Sequence, residues 1–143
     1  MSVRRLGTGD EEVAERACRV FDTEGELDTA AFLRRPEATL IVAEDRGDVV
    51  GWVYGHELVH PHGELTMLLY ALDVAEHAQR RGHGRALVEA FVDDAEQRGC
   101  TEVWVLTDDD NEGALATYRS AGGMREDELS VMFVWRLVEG ESP

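Results

Sequence analysis

Seven residues, Gln79-Arg80-Arg81-Gly82-His83-Gly84-Arg85, place two glycines among three arginines in a chain of formal net charge −16. They stand between an apolar run, residues 67–74, and a segment with helical periodicity that begins near Arg85. A glycine-rich turn that opens a helix points several backbone N–H groups at one place, and the positive end of the helix dipole points there too. With the arginines added, the stretch is a local anion site on an anionic protein. Phosphate or pyrophosphate is the anion such a site suits.

The spacing excludes two common phosphate loops. A P-loop needs lysine and then Ser/Thr after its last glycine, whereas Arg85-Ala86 follow Gly84 and the chain has no lysine at all. A dinucleotide fingerprint needs a third glycine three residues after the second, and position 87 is Leu. The missing lysine also removes Schiff-base chemistry on the protein.

The remaining elements must position this loop. The spacing of Val13, Ala17, Val20 and Phe21 predicts a helix over 10–21. Asp28 can cap a short second helix holding Ala31, Phe32 and Leu33, which ends near Pro36. Strands are expected over 39–44 and 49–57, joined at Arg46-Gly47-Asp48, and over 67–74. Leu87, Val88, Phe91, Val92 and Ala95 define a helix over 85–98 with Gly99 as its stop. A buried strand over 102–107, a helix over 112–120 and a last strand over 130–137 complete the order. The expected fold is α/β: an antiparallel meander followed by a β-α-β unit.

Composition sets outer limits. At 143 residues and 43% apolar content the chain suits a single domain, residues 1–143. No segment has the length to span a membrane, and no apolar stretch follows Arg4 and Arg5, so the expected location is cytoplasmic. Cys18 and Cys100 are too few for a disulfide framework and read as reduced, buried thiols. The acidity argues against nucleic acid and anionic membranes as partners and in favour of a cationic one.

The pattern Gln/Arg-x-x-Gly-x-Gly/Ala, filled by Gln79, Gly82 and Gly84, resembles the acetyl-CoA pyrophosphate loop of the GNAT superfamily of N-acetyltransferases. The flanks follow the same order: a strand through Leu69-Tyr70-Ala71-Leu72-Asp73-Val74, the loop, a helix, and the strand Val103-Trp104-Val105-Leu106-Thr107. Asn111, Ala114 and Tyr118 then lie on a helix before Gly122-Gly123. The likeness covers residues 64–137 well and the N-terminal half more loosely. It implies a GNAT-like mixed, mostly antiparallel sheet flanked by helices, whose splayed strands admit the pantetheine arm of acetyl-CoA.

Acetyl transfer from a thioester to an amine needs a neutral amine, close approach, an oxyanion donor and a proton for the departing thiolate. By resemblance, backbone N–H groups around Leu72 and Val74 polarise the acetyl group. Gln79, Arg80, Arg81, Gly82, His83, Gly84 and Arg85 hold the pyrophosphate, and Tyr118 is the general acid. Asn111 contacts the pantetheine or caps its helix, and the two roles are compatible. More narrowly, Leu69 to Leu87 resembles small aminoglycoside 3-N-acetyltransferases. Those carry an acid directly after the strand tyrosine, where this chain has Ala71. Asp73, two residues on and so on the same strand face, becomes the candidate base.

Asp108-Asp109-Asp110, Glu64 and, more weakly, Glu57 and Glu126-Asp127-Glu128 are candidates for binding an acceptor's ammonium groups; each also reads as plain acidic surface. His56, His60 and His62 match no standard zinc spacing, so no metal is expected. His77 and His83 are read as phosphate neighbours or solvent-facing residues. The resulting expectation is an acetyl-CoA-dependent N-acetyltransferase for a small cationic amine, with an aminoglycoside first. A different small amine, a polyamine, a peptide or protein amine, or a catalytically weak acyl-CoA-binding regulatory module are alternatives. The resemblance also allows a homodimer.

Overall fold

The structure, a computed structural model, describes residues 1–22, 27–126 and 131–138. Among the described residues, five strands and four α-helices run in the order β1 (Ser2–Arg5), α1 (Glu11–Phe21), α2 (Thr29–Arg34), β2 (Ala38–Asp45), β3 (Asp48–Val59), β4 (Leu65–Val74), α3 (His83–Gln97), β5 (Glu102–Trp104) and α4 (Glu112–Ser120). The strands form one sheet in sequence order. β1 to β4 are antiparallel, and β4 pairs in parallel with β5 across the α3 crossover.

Local chemistry accounts for the boundaries. Arg46 at φ 54° and Gly47 at φ 84° form the two-residue turn between paired Asp45 and Asp48. The Asp28 carboxylate accepts from the Ala31 N–H at 3.1 Å and so caps α2. Arg35 is extended because it precedes Pro36. Gly99, at φ 84°, ends α3: its N–H reaches the Glu96 carbonyl, and Cys100 N–H reaches Ala95. The same paired bonds recur after α4 at Gly122 and Gly123, which reach Arg119 and Tyr118.

Core packs on both faces of the sheet. Leu87, Val88, Phe91 and Ala95 of α3 meet Ile41, Val53, Met67 and Leu69 on one face. Ala14 and Ala17 of α1 meet Leu6, Leu40, Val42, Val49 and Trp52 on the other, with Phe21, Phe32 and Tyr54 packed around them. Two glycines of β3 let α3 close on the sheet. A Cβ on Gly51 would sit 2.9 Å from Leu87 Cδ1, and one on Gly55 would collide with the Leu68 carbonyl and with the Phe91 ring.

A polar clamp fixes α3 in rotation. Asp94, buried on α3, accepts from Thr39 Oγ1 at 2.6 Å, Arg98 Nε at 2.8 Å and Arg5 at 3.0 Å. Arg98 also donates to the carbonyls of Pro36 and Ala38, to Thr39 Oγ1 and to Glu57. Burial by itself would raise the Asp94 carboxyl, but the Thr39 and Arg98 bonds hold it below the usual value.

Three differences from the sequence expectation stand out. β1 carries one apolar residue, Val3, between polar neighbours, so only its ladder with Ile41–Glu44 reveals it. β5 stops at Trp104 because its ladder with β4 ends there, at Leu68. Residues 131–137 form no strand and are exposed throughout, while Ser130 lies outside the described residues. Among the described residues no helix is long and apolar enough to cross a membrane.

Candidate active site

β4 and β5 are paired only over Thr66–Leu68 and Glu102–Trp104. Beyond that the two neighbours part, and the sheet opens beside residues 69–74. On its other side β4 stays paired with β3, but with a shift in register: Tyr54 faces Ala71 and Gly55 faces Leu69, which leaves Tyr70 as an extra residue. A bulge here re-aims the side chains around it. Tyr70 stacks on Tyr54 with ring centroids 5.6 Å apart.

The registers assign the faces. Residues opposite each other in an antiparallel pair share a face. Ala71 and Asp73 therefore share the α1/α2 face with Tyr54 and Trp52, while Leu72 and Val74 point with Val53 and Gly51 toward α3. Asp73 Oδ2 accepts from the Trp52 indole N–H at 2.8 Å. Trp52, Tyr54 and His56 recur at period two along β3. With Phe21, Phe32 and Tyr70 they make an aromatic wall on the face that carries Asp73. Sequence reasoning missed this wall; the Trp52-x-Tyr54-x-His56 alternation is the signal that could have found it.

The glycine-rich loop turns sharply. Arg80 stands at φ 65° and Gly82, the N-cap of α3, at φ 84°. A left-handed residue followed by helical ones makes a concave nest of N–H groups suited to an anion. Gly84 also lets α3 meet α4: a Cβ there would be 3.1 Å from Thr117 Cγ2. Among the described residues no carboxylate pairs with Arg80 or Arg81. Arg81 lines a surface hollow with Asp45, Asp48 and His77, while Arg85 pairs with Glu89 along α3.

Two loop residues make contacts that the sequence did not announce. The Gln79 amide donates to the Val74 carbonyl at 3.1 Å, so it ties the loop to the end of β4. The His83 side chain is not solvent-facing. The ring is buried and contacts the Met1 sulfur. Its backbone N–H remains part of the helix start.

Tyr118 packs against the core between the sheet and α3. Burial, together with the charge of Asp73, pushes its phenol up, which favours the protonated, donating form. The Asp73 charge is the smaller of the two causes of that shift. Asn111 caps α4, its side chain accepting from Ala114 N–H at 3.1 Å. Asp108, Asp109 and Asp110 are exposed just before it, at the C-terminal end of the parallel pair where the loop also lies.

Glu64 does not join them. It precedes β4 at the far end of the strand, about 30 Å from Val74 at strand rise, and is held by the Thr101 hydroxyl and by His62. Those contacts hold its carboxyl below the usual range, Thr101 first. Glu57 is likewise occupied, by Arg98. Glu126 is exposed, and Asp127 and Glu128 lie outside the described residues. Among the described residues no three His, Cys or acidic side chains are grouped to hold a metal. Burial pushes both thiols up, which leaves them protonated.

The chain fits acetyl-CoA on this geometry: a nest with unpaired arginines for the pyrophosphate and an opening between strands for an extended arm. Comparison agrees. The sequence profile of the Acetyltransferase (GNAT) family matches residues 8–123, and the chain belongs to that family. It is similar to the mycothiol acetyltransferase of Paenarthrobacter aurescens, 32% identical over 94 residues, which are 64% of this chain and 29% of that protein. It is 27% identical to the L-2,4-diaminobutyric acid acetyltransferase of Nocardia farcinica, over 78% of this chain and 57% of that one. N-acetyltransferase family 8 member 3 of Rattus norvegicus is 36% identical over 67% of this chain and 42% of its own length. The chain thus spans less than two thirds of these curated relatives.

Among solved structures, the aminoglycoside acetyltransferase meta-AAC0020 from an uncultured soil metagenomic sample, in complex with trehalose, superposes with a TM-score of 0.86. The identity is 24%, and 96% of each chain is covered. AAC(6')-Iy in complex with a CoA bisubstrate analogue superposes at 0.74, with 16% identity over 94% of this chain and 97% of that one. These likenesses establish a shared fold.

Proposed function

We propose that this chain is an acetyl-CoA-dependent N-acetyltransferase that acetylates a small cationic amine by direct transfer in a ternary complex. The observation that carries the reading is the arrangement at one opening of the sheet. The Gly82 nest and the start of α3 follow the end of β4 that carries Asp73 and is not paired with β5, and Tyr118 packs against the core on the α3 side.

Each residue has a task. The N–H groups at the start of α3, with Arg80 and Arg81, bind the pyrophosphate. The backbone of Leu72 to Val74, freed from β5, offers donors to the acetyl oxygen. Asp73 takes a proton from the ammonium group directly or through water, and Tyr118 gives one to the departing thiolate. Tyr70, exposed and stacked on Tyr54, presents an aromatic face that suits the apolar face of a sugar ring or an ammonium group. Asp108, Asp109 and Asp110 add negative charge at the same end.

The preferred acceptor is an aminoglycoside, modified at its 3-amino group. Its support is the local resemblance of residues 69–87, the acidic surface, and structural neighbours described as aminoglycoside acetyltransferases. Relatives named for diaminobutyric acid and for ribosomal protein bS18 alanine keep other amines open. The test is CoA release from acetyl-CoA against aminoglycosides, diamino acids, spermidine and short peptides, with the product's site determined by NMR. Turnover confined to the other amines removes the aminoglycoside assignment. Tight acetyl-CoA binding without turnover on any amine points to a regulatory module.

A further inference from the structure

Among the described residues, the two with positive φ that are not glycine are both arginines: Arg46 at 54° and Arg80 at 65°. Left-handed backbone is unfavourable for a residue that carries a Cβ. Arg46 opens the β2–β3 turn, where Asn or Gly adopts the conformation with little strain. The same turn holds a second local conflict. Asp45 and Asp48 are directly opposed in the ladder, a like-charge pair. Strain kept at one place points to a task there.

The turn borders the glycine-rich loop. The Ala75 N–H donates to the Val50 carbonyl at 2.8 Å, which seats the segment after β4 beside the start of β3. Turn and loop together line a hollow of about 370 Å³: Asp45, Arg46 and Asp48 from the turn, His77 and Arg81 from the loop. That volume is in the ordinary range of a small-molecule site, about 300–1,000 Å³. Asp45, Arg46, Asp48 and Arg81 all line it, yet among the described residues none of the four joins an ion pair. Arg81 directly precedes Gly82, the N-cap at the nest, so the hollow begins where the pyrophosphate site ends.

This mixture of charges selects a class of ligand. A bare phosphate meets two carboxylates there as well as two arginines. A nucleoside monophosphate brings an anion for the arginines, hydroxyl and amino donors for the carboxylates, and a flat base for the His77 ring. Acetyl-CoA carries such a group beyond its pyrophosphate, the adenosine 3′-phosphate. We infer that this end of acetyl-CoA docks in the hollow, with Arg46 on the 3′-phosphate. The inference rests on acetyl-CoA being the donor, and it adds a contact from the β2–β3 turn that the glycine-rich loop does not supply.

Calorimetric titration with CoA and with dephospho-CoA, which lacks the 3′-phosphate alone, is the test. The parent is expected to bind CoA about 10-fold more tightly, roughly the effect of one charge-assisted hydrogen bond. Arg46→Asn puts the residue favoured by the turn at this position, so the variant is expected to fold at least as stably, which urea unfolding checks. It should lose most of the preference by weakening CoA while dephospho-CoA binds as before. Arg19→Gln, which removes a positive charge from α1, should keep the preference. In the phosphorus NMR spectrum of bound CoA, the 3′-phosphate signal should move between the parent and Arg46→Asn while the pyrophosphate signals stay. Movement of the pyrophosphate signals alone overturns the assignment of Arg46. Equal affinity of the parent for the two ligands, or an undiminished preference in Arg46→Asn, overturns the docking and leaves the acetyl-CoA reading standing. A parent protein that binds neither ligand overturns both.

Discussion

The Trp52 indole donates to Asp73 Oδ2 at 2.8 Å, from β3 to the directly opposed residue of β4. The bond fixes one carboxylate oxygen of an otherwise exposed side chain. The proton acceptor proposed above is thereby oriented by an uncharged donor. Asp73→Asn is therefore expected to lower kcat/KM by about 10²- to 10⁴-fold, the usual range for general bases. Trp52→Phe keeps the ring and removes only the donor, so a smaller loss is expected. Steady-state kinetics with the accepted amine measure both. An Asp73→Asn enzyme of undiminished rate across the pH range removes Asp73 from the chemistry.

Tyr118 is the proton donor proposed above. Burial and the Asp73 charge keep its phenol protonated beyond the ordinary range of about 10. A proton donor of this kind works throughout neutral pH and fails only as the raised value is passed. Tyr118→Phe is expected to lower kcat on the order of 10²-fold and to abolish the alkaline fall in rate. Unchanged thermal unfolding would separate this loss from a packing defect. Retention of both the rate and the alkaline limb would assign thiolate protonation elsewhere.

Much of this site was legible in the chain because its signals are local. Gly82 and Gly84 with their arginines announced the helix start, and Asp28, Gly99 and Asn111 announced caps that the structure bears out. Contacts between distant segments were not legible. Glu64 shares its charge with the other candidates, but nothing local shows that it lies at the opposite end of β4. His83 reads as polar and proves buried, since its direction depends on where α3 meets the sheet. β1 depends wholly on pairing, and residues 131–137 have a strand's composition but no partner strand within the described chain.

Gly55 tests how α3 is seated. A methyl group there meets the Leu68 carbonyl and the Phe91 ring, neither of which can move without shifting β4 or α3. Gly55→Ala is expected to cost about 3 kcal/mol or to prevent folding, in the upper range of overpacking. Gly113→Ala is the control: its nearest neighbour is 3.9 Å away, and in a helix Ala replaces Gly with a gain of up to about 1 kcal/mol. Urea unfolding of the two variants measures the difference. Equal stability would mean that the helix sits farther from the sheet than the structure places it.

Asp94 sets the response to acid. Its carboxyl is held below the usual value in the fold by Thr39 and Arg98 against the opposing effect of burial. A group depressed in this way stabilises the fold above its unfolded value, about 3.9. That contribution is lost as pH falls through the lower folded value. Asp94→Asn should therefore flatten the fall in stability at acid pH. At neutral pH it leaves Arg98, only 11% exposed, facing Glu57 as its one remaining carboxylate among the described residues. A loss of about 3 kcal/mol is expected, at the low end for removing one partner of a buried pair because Glu57 persists. Denaturant unfolding from neutral pH down through the carboxylate range tests both parts. A variant as stable as the parent at neutral pH, with the same acid limb, would show that the clamp between α3 and the sheet contributes nothing.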